Sequence, residues 1–195
     1  MIDERLRELV TTGDAARASA LVIETYGVEV FGYLMTLVRD EDLAGDAFSV
    51  ASEDLFKAVL GFRGDSSVRT WFYTLARHAA YREARGQRRR GGERITLAIE
   101  ALQAPVRSAT AAFRRTEVRD EFSRLRDALS VEERELLLLR IDRNLSWQDI
   151  ALIQNPDADE AELKRDIARC RKQFERTKEK LRALARKAGL LSGED

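Results

Sequence analysis

The stretch FRGDSSVRTWFYTLAR, residues 62–77, combines a turn with the start of a helix. It opens with a polar turn containing Gly64, and either Ser66 or Ser67 can act as the N-cap of a following helix. Apolar residues then recur every four positions, which predicts an amphipathic helix with one inward face. The predicted inward residues are Trp71, Leu75 and Ala79.

Two further helices are predicted before this turn. The first runs from about Ala15 to Val38 with Asp14 as its N-cap, and the second runs from about Asp46 to Leu60 and ends at Gly61. Their inward residues recur at helical spacing. They are Val22, Tyr26, Val30, Leu34 and Val38 in the first helix, and Phe48, Ala51, Leu55 and Val59 in the second. The three helices predict a compact N-terminal bundle.

The helix after the turn runs into a basic end and stops at Gly91-Gly92, so the N-terminal domain is predicted to span residues 1–90. Its basic residues are Arg82, Arg85, Arg88, Arg89 and Arg90. Residues 91–115 lack a sustained period and contain Pro105, which predicts a flexible linker with one short helix around Ile95 to Leu102.

The second domain is predicted to cover residues 116–195. It opens with apolar residues at helical spacing: Val118, Phe122, Leu125 and Leu129. A capping signal at Ser130 predicts a helix that runs through Ile141, and another at Ser146 predicts a helix that ends at Gln154. Asn155-Pro156 ends the second of these. A long helix follows from about Asp159, with Glu162 completing a possible capping box, to near Gly189. Its predicted apolar stripe is Leu163, Ile167, Cys170, Phe174, Thr177, Leu181 and Leu184.

Composition places these segments in an all-α protein of two small helical domains. The 195 residues contain only two prolines, and they lack the alternating β-branched runs that strands need. One cysteine, Cys170, and one histidine, His78, exclude a disulfide framework, a cysteine zinc site and a nucleophile–histidine catalytic set. We therefore expect no catalytic residues, metal or cofactor, and a buried Cys170.

Localisation is predicted from the lack of a signal-peptide pattern and of a membrane-spanning stretch in the sequence. Charged residues interrupt the first ten positions, so no signal peptide is expected, and no stretch is expected to reach the roughly 18 apolar residues of a membrane span. The prediction is a soluble cytoplasmic protein that does not contact membranes.

Charge is segregated along the chain although 34 basic and 34 acidic residues cancel. Residues 164–187 hold eleven basic and three acidic residues, a local charge of +8. This favours phosphate binding, although a solvated helix face is the alternative. A short capped helix followed by a turn and a long basic helix is the order of a helix-turn-helix. The turn is long and acidic, so the DNA-facing part should begin near Arg169.

With both halves in view, the chain resembles the bacterial sigma factors of the extracytoplasmic-function group. Residues 62–77 resemble the family's segment leading into the helix that melts and reads the minus-ten element, and residues 169–182 resemble its recognition helix for the minus-thirty-five element. The resemblance implies a dissociable specificity subunit of RNA polymerase that is not an enzyme. It would be monomeric when free and would bind promoter DNA and the clamp of the polymerase beta-prime subunit.

The resemblance also assigns DNA-binding residues. Those for the minus-ten element are Trp71, Tyr73, Arg77, His78, Arg82 and Arg85. Those for the minus-thirty-five element are Arg169, Arg171, Lys172, Gln173 and Arg176. Trp71 and Phe72 are favoured as core residues, whereas Tyr73 is left open between core and DNA. His78 stands where family members usually carry Asn, at a position that resembles the one holding a flipped base.

The polymerase-binding segment departs from the family pattern. Where an acidic surface is typical, this chain reads LAGDAFSV at residues 43–50. Asp46, Ser49 and Glu53 still share a helical face and are the predicted polymerase-binding residues. A phosphate on Ser49 would restore negative charge, so a Ser/Thr kinase could switch the protein on, with Ser52 as the second candidate. The alternative is sequence drift without a switch.

Two other classes of protein remain open at this stage. A homodimeric helix-turn-helix repressor would use the stripe from Leu163 to Leu184 as a coiled-coil seam, but it would leave residues 62–77 without a task. A structural or adaptor protein would bind neither DNA nor polymerase. The promoter sequence, the inducing signal and control by an anti-sigma protein are not given by these residues.

Overall fold

The structure, a computed structural model, describes residues 2–86 and 125–190. These two ranges contain helices and no strands, so the all-α prediction is confirmed for them. Contacts divide the chain into two units, Met1–Arg114 and Arg115–Asp195. The predicted linker, its short helix and the segment carrying Val118 and Phe122 lie outside the described residues.

The N-terminal unit contains four described α-helices. They are α1 (Ile2–Thr11), α2 (Ala15–Val38), α3 (Glu41–Ala58) and α4 (Val68–Ala84), with one 3₁₀ turn at Val59–Gly61. The predicted bounds of α2 are confirmed, as is its cap, because the Asp14 side chain accepts a hydrogen bond from the Arg17 N–H. Ser67, and not Ser66, caps α4 by accepting from the Thr70 N–H at 3.1 Å.

Helix α1 is absent from the sequence-based prediction. Leu6 is fully buried, and the Asp3 carboxylate accepts a hydrogen bond from the Val68 N–H at 3.2 Å. That N–H is one of the donors left over at the start of α4. Helix α1 therefore helps to hold the start of α4.

Helix α3 begins five residues earlier than predicted. Arg39 closes α2 in the left-handed conformation, with φ of 56°, and the Asp40 side chain accepts from the Leu43 N–H at 2.8 Å. This cap places Glu41 and Asp42 in the first turn of α3, where the helix dipole favours negative charge. Starting the helix at Asp46 was therefore wrong.

The inward face of α4 differs from the predicted stripe. Trp71 and Leu75 are only half-buried. The fully buried residues of α4 include Phe72, Tyr73, Ala76 and Ala79. Phe72 packs against Phe48 of α3 at 6.2 Å between ring centroids. The helix ends at Ala84, followed by Gly86 with φ of +68°, so the predicted end at Gly91-Gly92 was wrong.

Helix α2 is the core helix of this unit. It is also the one described helix that is long and apolar enough to cross a membrane, contrary to the expectation that no such stretch exists. Ten of its 24 residues are buried, and it packs against α3 and α4. Of its predicted inward residues, Tyr26 and Val38 are only half-buried. Core packing explains its apolar composition without a membrane.

The C-terminal unit contains α5 (Val131–Leu137), α6 (Trp147–Gln154) and α7 (Glu160–Lys187). A π-helical segment, Leu138–Asp142, follows α5 where an α-helix through Ile141 was predicted, and Ile141 is exposed. Capping boxes are present at all three predicted places. They pair Ser130 with Glu133, Ser146 with Asp149, and Asp159 with Glu162.

Only the middle of the predicted α7 stripe is buried. Cys170, Phe174 and Thr177 are buried, whereas the four stripe residues nearer the ends are half-buried. Those four are Leu163, Ile167, Leu181 and Leu184. Burial of the thiol raises the pKa of Cys170, which fits the predicted structural role.

An ion pair joins α7 to the start of α5 and makes stability depend on pH. Burial alone would raise the pKa of Glu133, but hydrogen bonds from Lys180 and the Ser130 N–H, together with the Lys180 charge, lower it overall. The Lys180 Nζ lies 2.7 Å from the Glu133 carboxylate. A lowered pKa in the folded state stabilises the fold above the unfolded pKa of about 4.3, and this contribution disappears as the pH falls through the folded value.

We expect Glu133→Gln to lower the melting temperature at pH 7, and this difference should shrink as the pH falls below the unfolded pKa of about 4.3 towards the lower folded pKa. Thermal melts at several pH values measure this difference. Lys180→Gln removes the same pair from the other side and should give the same pH profile. A melting-temperature difference that stays constant from pH 7 to pH 3 would contradict the assignment.

Candidate functional site

The aromatic run at residues 71–73 divides between surface and core. The Trp71 ring is half-buried and stacks on Phe62, with 4.9 Å between centroids and 29° between planes. Tyr73 is fully buried, and its ring packs edge-on against Tyr33 at 5.0 Å. The assignment of Tyr73 to DNA was therefore wrong, because its ring is inside the bundle. Trp71 is only partly in the core, whereas Phe72 is fully buried, as predicted.

The basic residues of α4, and Arg85 directly after it, differ in their exposure. His78 and Arg85 are exposed, and the Arg77 guanidinium lies over the Tyr81 ring, 4.7 Å from its centroid. Arg82 instead forms an ion pair with Asp54 of α3 and is half-buried there. Arg82 therefore ties α4 to α3, and its assignment to DNA is not supported by its placement.

The predicted polymerase-binding residues lie along α3 as expected from their spacing. Asp46 is exposed, Ser49 is half-buried, and Glu53 forms an ion pair with Lys57 at 3.1 Å. The Ser49 hydroxyl donates to the Gly45 carbonyl at 2.9 Å. Ser52 is fully buried and donates to the Phe48 carbonyl, so a kinase cannot reach it in the folded unit. Ser52 is thus removed as a candidate.

Two acidic residues at the start of α3 were not among the residues predicted from the sequence to bind polymerase. Glu41 and Asp42 are exposed, and with Asp46 they line a depression of about 350 Å³ whose other lining residues are Phe31 and Gly45. Asp42, Asp46, Ser49 and Glu53 follow one another at intervals of four, three and four, so they form one row along the helix. We call these four residues the α3 row. The Asp40 cap was the signal that could have revealed Asp42.

The basic residues of α7 form the second candidate surface. Arg171, Lys172 and Arg176 are exposed, and Gln173 is half-buried. The Arg169 side chain is 60% exposed and lies 3.1 Å from the Asp166 carboxylate. All five predicted residues thus present some side-chain surface within two turns of α7. Arginine and glutamine at such positions can donate to guanine edges, adenine edges or phosphates.

The turn between α6 and α7 is five residues long, at positions 155–159. The sequence left the conformation of residues 155–167 open. Residues 160–167 form the first two turns of α7, and the Asn155 amide donates to the buried Asp166 carboxylate at 3.0 Å. The Cys170 thiol donates to the Gln154 side-chain oxygen at 3.4 Å. These contacts fasten the end of α6 to α7.

In residues 2–86 and 125–190, no group of three or more His, Cys, Asp and Glu side chains is arranged to hold a metal ion.

Comparison with known proteins assigns the family. Residues 22–90, which include most of α2 and all of α3 and α4, match the family model for Sigma-70 region 2. The chain therefore contains a Sigma-70 region 2 domain, the domain that defines its similarity to sigma factors. Sigma factors act with RNA polymerase in transcription initiation and are regulators without enzymatic activity. Helix α1 lies outside the matched residues.

Two curated relatives extend the similarity beyond region 2. The chain is 29% identical over 158 residues to the RNA polymerase sigma-H factor of Pseudomonas aeruginosa, a match covering 77% of this chain and 81% of that protein. It is 29% identical over 136 residues to the RNA polymerase sigma factor YlaC of Bacillus subtilis, covering 66% of this chain and 74% of that protein. Both matches are longer than the 22–90 segment, so the similarity extends beyond region 2.

Proposed function

We propose that this protein is a sigma factor of the extracytoplasmic-function group, which recruits core RNA polymerase in the cytoplasm and directs it to promoters with two elements. The observation that carries the proposal is the Sigma-70 region 2 match over helices that present the half-buried Trp71 and Arg77 and the exposed His78. The helix-turn-helix order of the C-terminal unit supports a second DNA-binding surface.

The proposed minus-ten surface consists of the residues of α4 that remain accessible. Trp71 offers an aromatic face for an unpaired base, supported from behind by Phe62. Arg77 and His78 lie further along the same helix, and Arg85 directly follows its end; all three can contact phosphates or bases. His78 can hydrogen-bond and stack, so the surface retains a group suited to a flipped base.

The proposed minus-thirty-five surface begins at Arg169. Arg169, Lys172 and Arg176 are spaced three and four residues apart and share a face of α7, with Gln173 beside them. The acidic residues of the turn and of the first part of α7 precede this face along the chain, which favours contact with DNA from Arg169 onward.

The α3 row is the proposed contact for the polymerase clamp. Its three carboxylates, at Asp42, Asp46 and Glu53, suit a partner surface rich in arginine. The row begins one turn earlier than the sequence suggested, because Asp42 lies four residues before Asp46 on the same face. Its negative charge is therefore greater than the sequence indicated.

Run-off transcription with purified core polymerase tests the proposal. We expect the protein to produce specific transcripts from a pool of genomic promoters of its host. Absence of any transcript with core polymerase, both with and without treatment by a Ser/Thr kinase, would contradict it. Gel filtration separates it from a repressor, since the free sigma factor should elute as a monomer and a coiled-coil repressor as a dimer.

The finer proposal is that phosphorylation of Ser49 strengthens binding to polymerase. Ser49 stands between Asp46 and Glu53 in the α3 row, and a phosphate would add about −1.5 to −2 charge there. We expect Ser49→Glu to bind core polymerase more tightly than Ser49→Ala, and kinase treatment to strengthen the wild type alone. Pull-down with core polymerase measures this. Equal binding of Ser49→Ala and the phosphorylated wild type would contradict the switch.

A further inference from the structure

A buried carboxylate lies directly beneath the start of the proposed minus-thirty-five surface. Asp166 of α7 is only 7% exposed, and its two oxygens have different partners. One accepts from the Asn155 amide in the turn at 3.0 Å, and the other lies 3.1 Å from the Arg169 guanidinium. Asp166 therefore connects the turn of the helix-turn-helix to the first basic residue of the proposed DNA-binding face.

The pair is asymmetric in its exposure. The Asp166 side chain is 10% exposed, whereas the Arg169 side chain is 60% exposed. A buried carboxylate is stable only with compensating partners, so Asp166 favours keeping the guanidinium close by. The Nη1 of Arg169 lies at the carboxylate, and because the side chain is 60% exposed and a guanidinium has five N–H donors, Arg169 can still present donors to a base edge or a phosphate.

This arrangement affects specific and non-specific binding differently. Neutralising part of the Arg169 charge weakens attraction to phosphates of any sequence, which is the electrostatic part of binding. Holding the guanidinium in one position removes part of the ordering cost of a directional contact with a base. Both effects favour the correct sequence over others.

We propose that Asp166 is a positioning residue for promoter recognition, which holds Arg169 in a reading geometry and suppresses its non-specific attraction to DNA. The inference rests on the proposed function, because it needs α7 to read a DNA sequence. Asp166 itself is not among the five residues assigned to DNA contact.

The test uses the full chain and four variants. Asp166→Asn keeps the side-chain shape and an acceptor for Asn155, but it removes the charge that holds Arg169. Asn155→Ala is the matched control, because it removes the turn contact and leaves the ion pair. Arg169→Ala and the double variant Asp166→Asn/Arg169→Ala complete a cycle that shows whether Asp166 acts through Arg169.

The ligands are duplexes selected by the wild-type chain from a random pool, and scrambled duplexes of equal composition. We expect Asp166→Asn to bind scrambled DNA more tightly and to lower the ratio of selected to scrambled affinity about fivefold to tenfold. The slope of log affinity against log salt should steepen by up to about 0.9, the value for one additional phosphate contact. In the Arg169→Ala background, Asp166→Asn should change neither quantity.

The outcomes separate this inference from the proposed function. If the wild type shows no sequence preference, α7 does not read promoters and both ideas fail. If the wild type is selective but Asp166→Asn has the same ratio and salt slope, the positioning role fails alone. A loss of affinity for both duplexes, matched by Asn155→Ala and by a lower melting temperature, would assign Asp166 a purely structural role and also overturn the inference.

Discussion

Replacing Tyr73 by alanine should lower the unfolding free energy of the N-terminal unit by about 3–5 kcal/mol, the usual cost of deleting a buried aromatic ring. The Tyr73 ring is fully buried and packs against Tyr33, so its loss leaves a cavity between α2 and α4. Urea denaturation can be followed through Trp71 in a Trp147→Phe background, because Trp147 is the other tryptophan of the chain and lies in the C-terminal unit.

Trp71→Ala is the informative partner of this variant. The Trp71 ring is half-buried and stacks on Phe62, so its loss should cost about 1 kcal/mol of stability. We expect Trp71→Ala to retain polymerase binding and to lose promoter opening, which permanganate footprinting detects. The division of roles between these aromatic residues would be wrong if Tyr73→Ala were as stable as wild type and only Trp71→Ala unfolded the unit.

The helix boundaries set by local chemistry were predictable from the sequence. Capping boxes at Ser130, Ser146 and Asp159 need only side chains three residues apart, and Pro156 forces the residue before it out of helical geometry. The middle of α7 was also predictable, because Cys170, Phe174 and Thr177 follow helical spacing. These signals involve near neighbours in sequence.

The register of α4 needed tertiary information. Trp71, Phe72 and Tyr73 are consecutive aromatic residues, so apolar stripes that include any one of them fit helical spacing equally well. Contacts of Phe72 with Phe48 and of Tyr73 with Tyr33 decide which face turns inward. Helix α1 was missed for a related reason, since its role depends on a hydrogen bond that the Val68 N–H donates to the Asp3 carboxylate across 65 positions.

The sequence predicts which charged residues belong to each candidate surface, but it does not predict which of them are exposed to a partner in the folded protein. Exposed arginines on α7 followed from spacing alone. The ion pair of Arg82 with Asp54 joins residues 28 positions apart, and the fully buried Ser52 depends on how α3 packs. Availability is therefore a property of the folded unit, which periodicity describes only in part.

Reversing the charge of the α3 row should have the largest effect on function. We expect Asp46→Lys combined with Glu53→Lys to weaken binding to core polymerase about a hundredfold, because each lysine would face the cationic surface proposed for the clamp. Run-off transcription should fall in parallel. Binding of the wild type should weaken as salt is raised, since exposed charges are screened over about 10 Å at 0.1 M ionic strength.

Controls on α1 and α3 separate this effect from a general change of charge or fold. Glu8→Lys alters an exposed acidic residue on α1, outside the α3 row, and should leave polymerase affinity unchanged. Asp42→Lys tests the newly recognised start of the row. Asp42 also lies in the first turn of α3, so its reversal should cost a few tenths of a kcal/mol in stability through the helix dipole, and melting temperatures must accompany the binding data.

If Asp42→Lys weakens binding and Glu8→Lys does not, polymerase contact begins at the first turn of α3, where the negative charge exists without phosphorylation. Unchanged affinity in the Asp46 and Glu53 double variant would instead exclude the α3 row as the polymerase contact and leave Ser49 without a partner for its phosphate.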